Sequence, residues 1–116
     1  MKTYDQKMAE QAFKCVNSAN KRDKVEEYRS FALSFPSLVH SCGLVQAVAF
    51  AEIKNRDYLK DLVAVLNEVE KETDLASKSR EAQVVDYMRI SRHALSAASW
   101  LKRYVQAIIG DKKEGN

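Results

Sequence analysis

The sequence predicts an all-α fold, a compact bundle of five to six helices that ends in a long C-terminal helix. Three observations predict it. Only three glycines and one proline occur in 116 residues, too little punctuation for the many turns of a β sandwich or barrel. Apolar residues recur three and four apart through most of the chain, which is the helical period. The apolar fraction of 46% and the charged fraction of 30% suit an ordinary globular chain and argue against disorder. The length fits one domain over residues 1–116, with a polar tail over 111–116.

The elements follow in order. From Thr3 to about Ser18, Met8, Ala12, Phe13, Val16 and Ala19 fall at helical spacing. Asn17 to Asp23 is polar and reads as a loop. A second helix is expected from Asp23, with Glu26 at the offset of a capping box. It carries Tyr28, Phe31, Ala32 and Phe35 on one side. Pro36 lacks an N–H and crowds the preceding turn, so a kink or a fresh start is expected there. Gly43 fits the position after a helix, where positive φ is needed. Leu44 to about Ile53 is apolar nearly all round, which predicts a short helix in the middle of the bundle. Lys54-Asn55-Arg56-Asp57 reads as a turn. Tyr58, Leu59, Leu62, Val63, Leu66 and Val69 mark the next amphipathic helix. Glu70 to Asp74 is a polar connection, and Leu75 to Lys78 adds a turn of helix. The final helix is expected from about Ser79 to Ile109, ended by Gly110.

Several function classes are excluded. The N-terminus has no apolar core of a secretory signal, which points to a cytoplasmic protein. Ser30 to Ala51 has no Asp, Glu, Lys or Arg. However, Pro36, His40, Gly43, Gln46 and several serines break it, so it reads as two core helices meeting near Gly43 rather than a membrane span. Cys15 and Cys42 stand far apart with no CxxC, which predicts two reduced thiols and no structural zinc. No GxSxG, HExxH or acidic metal cluster occurs, so neither a metal nor a cofactor is expected. His40 and His93 are the only candidates for a general base near neutral pH. His40 lies in the uncharged stretch and reads as a hydrogen-bonded core residue. Arg89 and His93 are one turn apart, with three residues between them. Small helical RNases that pair an Arg with a His place four to six residues there, so an autonomous nuclease does not fit.

The charge distribution is more informative than the net charge of +3. From Tyr87 to Ile109 there is no acidic residue and there are four fixed positive charges. On a helical wheel Arg89, Arg92, His93, Ser96, Trp100 and Arg103 fall on one side. Met88, Leu95, Ala98, Leu101, Val105 and Ile108 fall broadly on the other, and Lys102 lies toward that apolar side. Phosphate backbones suit such a basic ridge. Two other readings stand beside it. The ridge is also what the macrodipole favours near a helix C-terminus. The same arginines also suit Glu68, Glu70 or Glu72 from a neighbour. Trp100 reads first as a half-buried packing residue.

Three stretches carry a resemblance to a known family. One runs from Tyr28-Arg29 through Phe35-Pro36-Ser37-Leu38-Val39 into Gly43-Leu44-Val45-Gln46-Ala47-Val48-Ala49-Phe50. Another is Tyr87-Met88-Arg89-Ile90-Ser91-Arg92. The last is Trp100-Leu101-Lys102-Arg103-Tyr104-Val105-Gln106-Ala107-Ile108-Ile109. In these the chain resembles the small helical subunits of the Cmr complex, the type III-B CRISPR effector that uses a guide RNA to target foreign RNA. The resemblance implies a non-catalytic subunit that stacks head to tail in several copies beside the guide RNA. It implies as partners the other subunits of the complex, the guide and target RNA, and further copies of the same chain, with no membrane involved. It places RNA-phosphate contacts at Arg89, Arg92, Lys102 and Arg103, which stand in the matching stretches, and at Arg29. Lys14 is added from its charge alone. The competing expectation is a helical adaptor whose basic face meets acidic partner subunits without touching RNA.

Overall fold

The computed structural model describes residues 1–70 and 74–110. Glu72 and the polar tail 111–116 lie outside the described residues. Six helices follow one another: α1 (Tyr4–Ala19), α2 (Val25–Cys42), α3 (Leu44–Lys54), α4 (Arg56–Leu66), α5 (Leu75–Glu81) and α6 (Val84–Ile108). α6 spans about 37 Å at 1.5 Å per residue. It is the axis of the molecule and packs against α1, α2, α4 and α5. The small residues Ala94, Ala97 and Ala98 let its neighbours approach, and Leu101 and Val105 fill the space beyond them.

α1 begins where its first turn is best satisfied. Thr3 Oγ1 accepts the Gln6 N–H at 3.1 Å, and Gln6 Oε1 accepts the Thr3 N–H at 2.8 Å. Such a reciprocal cap stabilises a helix by about 1 kcal/mol. The capping box expected at Asp23 and Glu26 does not form. α2 starts at Val25, and Lys24 stands at its N-cap with no side-chain bond. Tight turns at Lys21 and Arg22 follow α1 directly, and Arg22 is drawn inward to Asp61. α2 also runs through Pro36, so of the kink and the fresh start expected there the fresh start does not occur. The buried face of Ala32, Phe35 and Val39 continues on both sides of the proline. Burial of that face offsets the ~3 kcal/mol that an interior proline costs.

Gly43 alone joins α2 to α3. Its φ of 85° and ψ of 163° belong to a region that only glycine occupies readily. The corner is pinned from α6, because Tyr87 Oη accepts the Val45 N–H at 3.2 Å. α3 is not in the middle of the bundle. Leu44, Ala47, Val48 and Ala51 are buried against α2, α4 and α5, but Phe50 and Ile53 on the other side are exposed. A helix apolar all round has no polar face to say which side turns outward, and the neighbours decide it. The turn expected over 54–57 shrinks to Asn55, whose Oδ1 caps α4 by accepting the Tyr58 N–H at 3.0 Å.

The largest correction concerns the last helix, expected from Ser79. α5 ends at Glu81, and Ala82 and Gln83 are extended, with ψ of 143° and 161°. No residue there breaks helices strongly. The break is tertiary: α5 lies against α3, whereas α6 must run between α1 and α2. Met88, placed on the apolar side by the wheel, is exposed on the first turns of α6 with Val84 and Val85. Among the described residues no helix is long and apolar enough to cross a membrane.

Candidate nucleic-acid interface

The ridge sits on the part of α6 that its neighbours leave uncovered. Ile90, Ala94, Ala97, Leu101 and Val105 turn inward, so residues on the opposite arc face solvent. Arg92, Ser96 and Arg103 are exposed there, and Trp100 is half-buried. The two ends of this arc differ in what the basic groups already touch.

At the N-terminal end the charges are paired. Arg89 Nε donates to Glu70 Oε2 at 3.1 Å and its Nη2 to Oε1 at 3.3 Å, a two-point grip on one carboxylate. Its Nη1 donates to Asp86 Oδ1 at 2.7 Å. His93 Nδ1 makes a hydrogen bond to the same Glu70 carboxylate, and its ring meets Tyr4 edge-on at 6.0 Å. Glu70 is only 9% exposed. Burial alone would raise its carboxyl, but the hydrogen bonds and charges of Arg89 and His93 outweigh that and hold it below the ordinary glutamate value. Of the glutamates expected to meet the ridge Glu70 does so, and it comes from the turn that follows α4 in the same chain. Glu68 is exposed.

At Arg92, and toward the C-terminal end at Arg103, the charges are open. Among the described residues Arg92 and Arg103 have no carboxylate within ion-pair distance. The Arg103 guanidinium lies over the Trp100 ring, 5.0 Å from its centroid. Tyr104 stacks beside that indole at 6.0 Å, and Trp100 Nε1 donates a long bond of 3.4 Å to Asp5 Oδ1. Trp100 is therefore a packed residue and not an open platform for a base.

The remaining candidates do not converge on the arc. Lys102 is half-buried and projects about 160° around α6 from Trp100. Arg29 Nε donates to the Ile109 carbonyl at 3.2 Å, which ties α2 to the end of α6. Lys14 is exposed on α1 and acts electrostatically on Glu10. His40 is not a core residue. It is exposed near the end of α2 and, with Asp5 of α1 and Leu95, Ser96, Ser99, Trp100 and Arg103 of α6, lines a cleft of about 350 Å³. Asp5 and Ser99 carried no signal in the sequence, since a first-turn acid and a helical serine are ordinary. Only the packing of α1 and α2 beside α6 brings them together.

The two cysteines are free, Cys15 buried and Cys42 exposed. Burial, reinforced by the nearby Asp61, pushes the Cys15 thiol up to about 11, so it is unreactive. No group of three or more His, Cys, Asp or Glu among the described residues is arranged to hold a metal.

A family model described as CRISPR-associated protein (Cas_Cmr5) matches residues 4–108, which is nearly the whole helical body. The chain belongs to the Cmr5 family. A curated member, the CRISPR system Cmr subunit Cmr5 of Thermus thermophilus, is 39% identical over 113 residues, covering 94% of this chain and 98% of its own. The crystal structure of a CRISPR-associated Cmr5 family protein from the same organism superposes with a TM-score of 0.87 at 38% identity. That match covers 95% of this chain and 100% of the other. At this coverage and TM-score the two chains share one fold.

Proposed function

We propose that this chain is the small, non-catalytic subunit of a type III-B CRISPR (Cmr) effector complex. In this reading it stacks head to tail with further copies beside the guide RNA and holds guide and target RNA by their phosphates. The other Cmr subunits are its protein partners. Family membership supports the place in the complex. The RNA role rests on one observation, the exposed arc of α6 on which Arg92 and Arg103 stand without acidic partners among the described residues. Lys102 and Lys14 stay in the reading as basic residues that lie off the arc. Arg29 and Arg89 join only by exchanging the Ile109 carbonyl and the Glu70 and Asp86 carboxylates for phosphate. Phosphate contacts carry no base information, so binding is sequence-tolerant and weakens steeply with salt.

A second reading has an observation of its own. In the Glu70–Arg89 grip a ridge arginine already engages a protein carboxylate, which favours an adaptor whose arc meets acidic neighbours. The pair Arg92→Glu with Arg103→Glu separates the two in the assembled complex. Loss of RNA retention with assembly intact supports the RNA-binding subunit. Loss of assembly itself, with the isolated variant still folded, moves the arc to a protein interface and sinks the RNA reading.

A further inference from the structure

The cleft between α1, α2 and α6 has a composition that the phosphate reading does not absorb. Three helices converge on it. α6 supplies Ser96, Ser99 and Arg103, at spacings of three and four residues that place them on one face. α2 supplies His40 and α1 supplies Asp5. Its volume of about 350 Å³ falls in the range of small-ligand sites. The guanidinium, the imidazole and two hydroxyls are donors suited to an anion. Among the described residues neither Arg103 nor His40 is engaged by a carboxylate. Asp5 is the exception. Among the described residues its carboxylate accepts only the long bond from Trp100, and it repels a bare anion. An occupant must therefore bring both a negative charge and a hydroxyl or amino donor. The Arg103 guanidinium lies over the indole and Tyr104 stacks beside it, so an occupant of the cleft meets a ring already in contact with both.

We propose that this cleft binds one ribonucleotide unit of the RNA strand. Its phosphate lies against Arg103, His40 and the serine hydroxyls, and its 2′-hydroxyl donates to Asp5. The cleft thereby makes the contact that distinguishes RNA from DNA on a surface whose other contacts do not. The inference rests on the RNA reading and adds His40, Ser96, Ser99 and Asp5 to its residues.

Trp100 is the only tryptophan in the chain, so its emission reports the cleft directly. The full chain is titrated with short single-stranded oligouridylate and with oligodeoxyuridylate, which lacks only the 2′-hydroxyl. Oligouridylate is expected to change Trp100 emission saturably and to bind about tenfold more tightly than the deoxy strand. Asp5→Ala is expected to erase that difference, because both strands lose the same acceptor and the same repulsion. His40→Ala and Ser99→Ala are expected to weaken the emission-detected binding while leaving the strand preference. All three residues are exposed, and melting curves check that the variants fold. Filter binding read in parallel separates the failures. RNA retained with Trp100 silent, or with both strands bound equally, overturns the cleft and leaves the proposed function standing. No RNA retained by either readout overturns both the cleft and the RNA-binding role.

Discussion

Two buried carboxylates of this molecule have nearly the same exposure and opposite behaviour. Asp61 is 8% exposed and Glu70 is 9% exposed. Asp61 accepts a hydrogen bond from the neutral Tyr28 hydroxyl at 2.7 Å, and the Arg22 guanidinium stands at 3.5 Å. Burial dominates there and raises the carboxyl above the ordinary aspartate value. Glu70 receives both prongs of Arg89 and the ring of His93, and its carboxyl is held down. Surface exposure alone therefore does not set the direction. Asp61 lies deeper among protein atoms, so its desolvation wins, whereas at Glu70 the shallower burial is outweighed by the charged donors Arg89 and His93. The difference also divides the molecule by task. The Asp61 cluster ties the α1–α2 turn, α2 and α4 together inside the fold. The Glu70 cluster lies on the α6 arc and occupies an arginine that would otherwise face solvent.

Removing the acid breaks the first cluster most severely. Asp61→Ala leaves the Tyr28 hydroxyl buried without its acceptor and Arg22 without its counter-charge. It is expected to lower stability by about 3 kcal/mol in urea unfolding. A loss no larger than that of an ordinary surface substitution would show that the cluster is not a tie.

The pH dependence sharpens the contrast, because the two acids carry opposite signs. The folded state takes up a proton at Asp61 more readily than the unfolded chain does. Stability from that group therefore grows as pH falls toward the ordinary aspartate value of about 3.9, and is lost as pH rises through the raised value. Glu70 acts the other way. Its contribution is complete above the ordinary glutamate value of about 4.3 and is lost as pH falls through the lowered one. Unfolding free energies of Asp61→Asn and Glu70→Gln, each against the parent at about pH 7 and about pH 4, test this. The penalty of Asp61→Asn is expected to grow on acidification and that of Glu70→Gln to shrink. A shared trend would remove the distinction.

The smallest effect concerns the arc. Glu70→Gln weakens the grip on Arg89 and is expected to raise RNA affinity about threefold at low salt, an amount typical of partly exposed ion pairs. Replacing Arg89 by Gln is expected to reduce RNA affinity more in that variant than in the parent. Equal effects in both backgrounds would mean that Arg89 is a purely structural residue.

Much of this is legible in the sequence, for identifiable reasons. The wheel of α6 puts Arg92, Ser96 and Arg103 on one side, and they are exposed together, because a single straight helix fixes relative direction by itself. Gly43 is legible because only glycine takes its φ readily. That an acid near 68–72 would meet the ridge is also legible, but not that Glu70 would take Arg89 and His93 at once. The exposure of His40 runs against its reading as a core residue, because an uncharged stretch does not say which of its two helices turns a polar residue outward. The last helix starts later than its pattern predicts, because nothing local at Ala82 and Gln83 stops a helix.

The sequence by itself determined the helical class, most helix positions, the corner at Gly43 and the basic arc of α6, since these follow from periodicity and backbone sterics along one segment. The tertiary structure alone decided which face of α3 is covered, where α6 begins, which charges are already paired, and that Asp5, His40, Ser99 and Arg103 line one cleft. Those depend on distances between segments far apart in the chain, and such distances are set by how the helices pack.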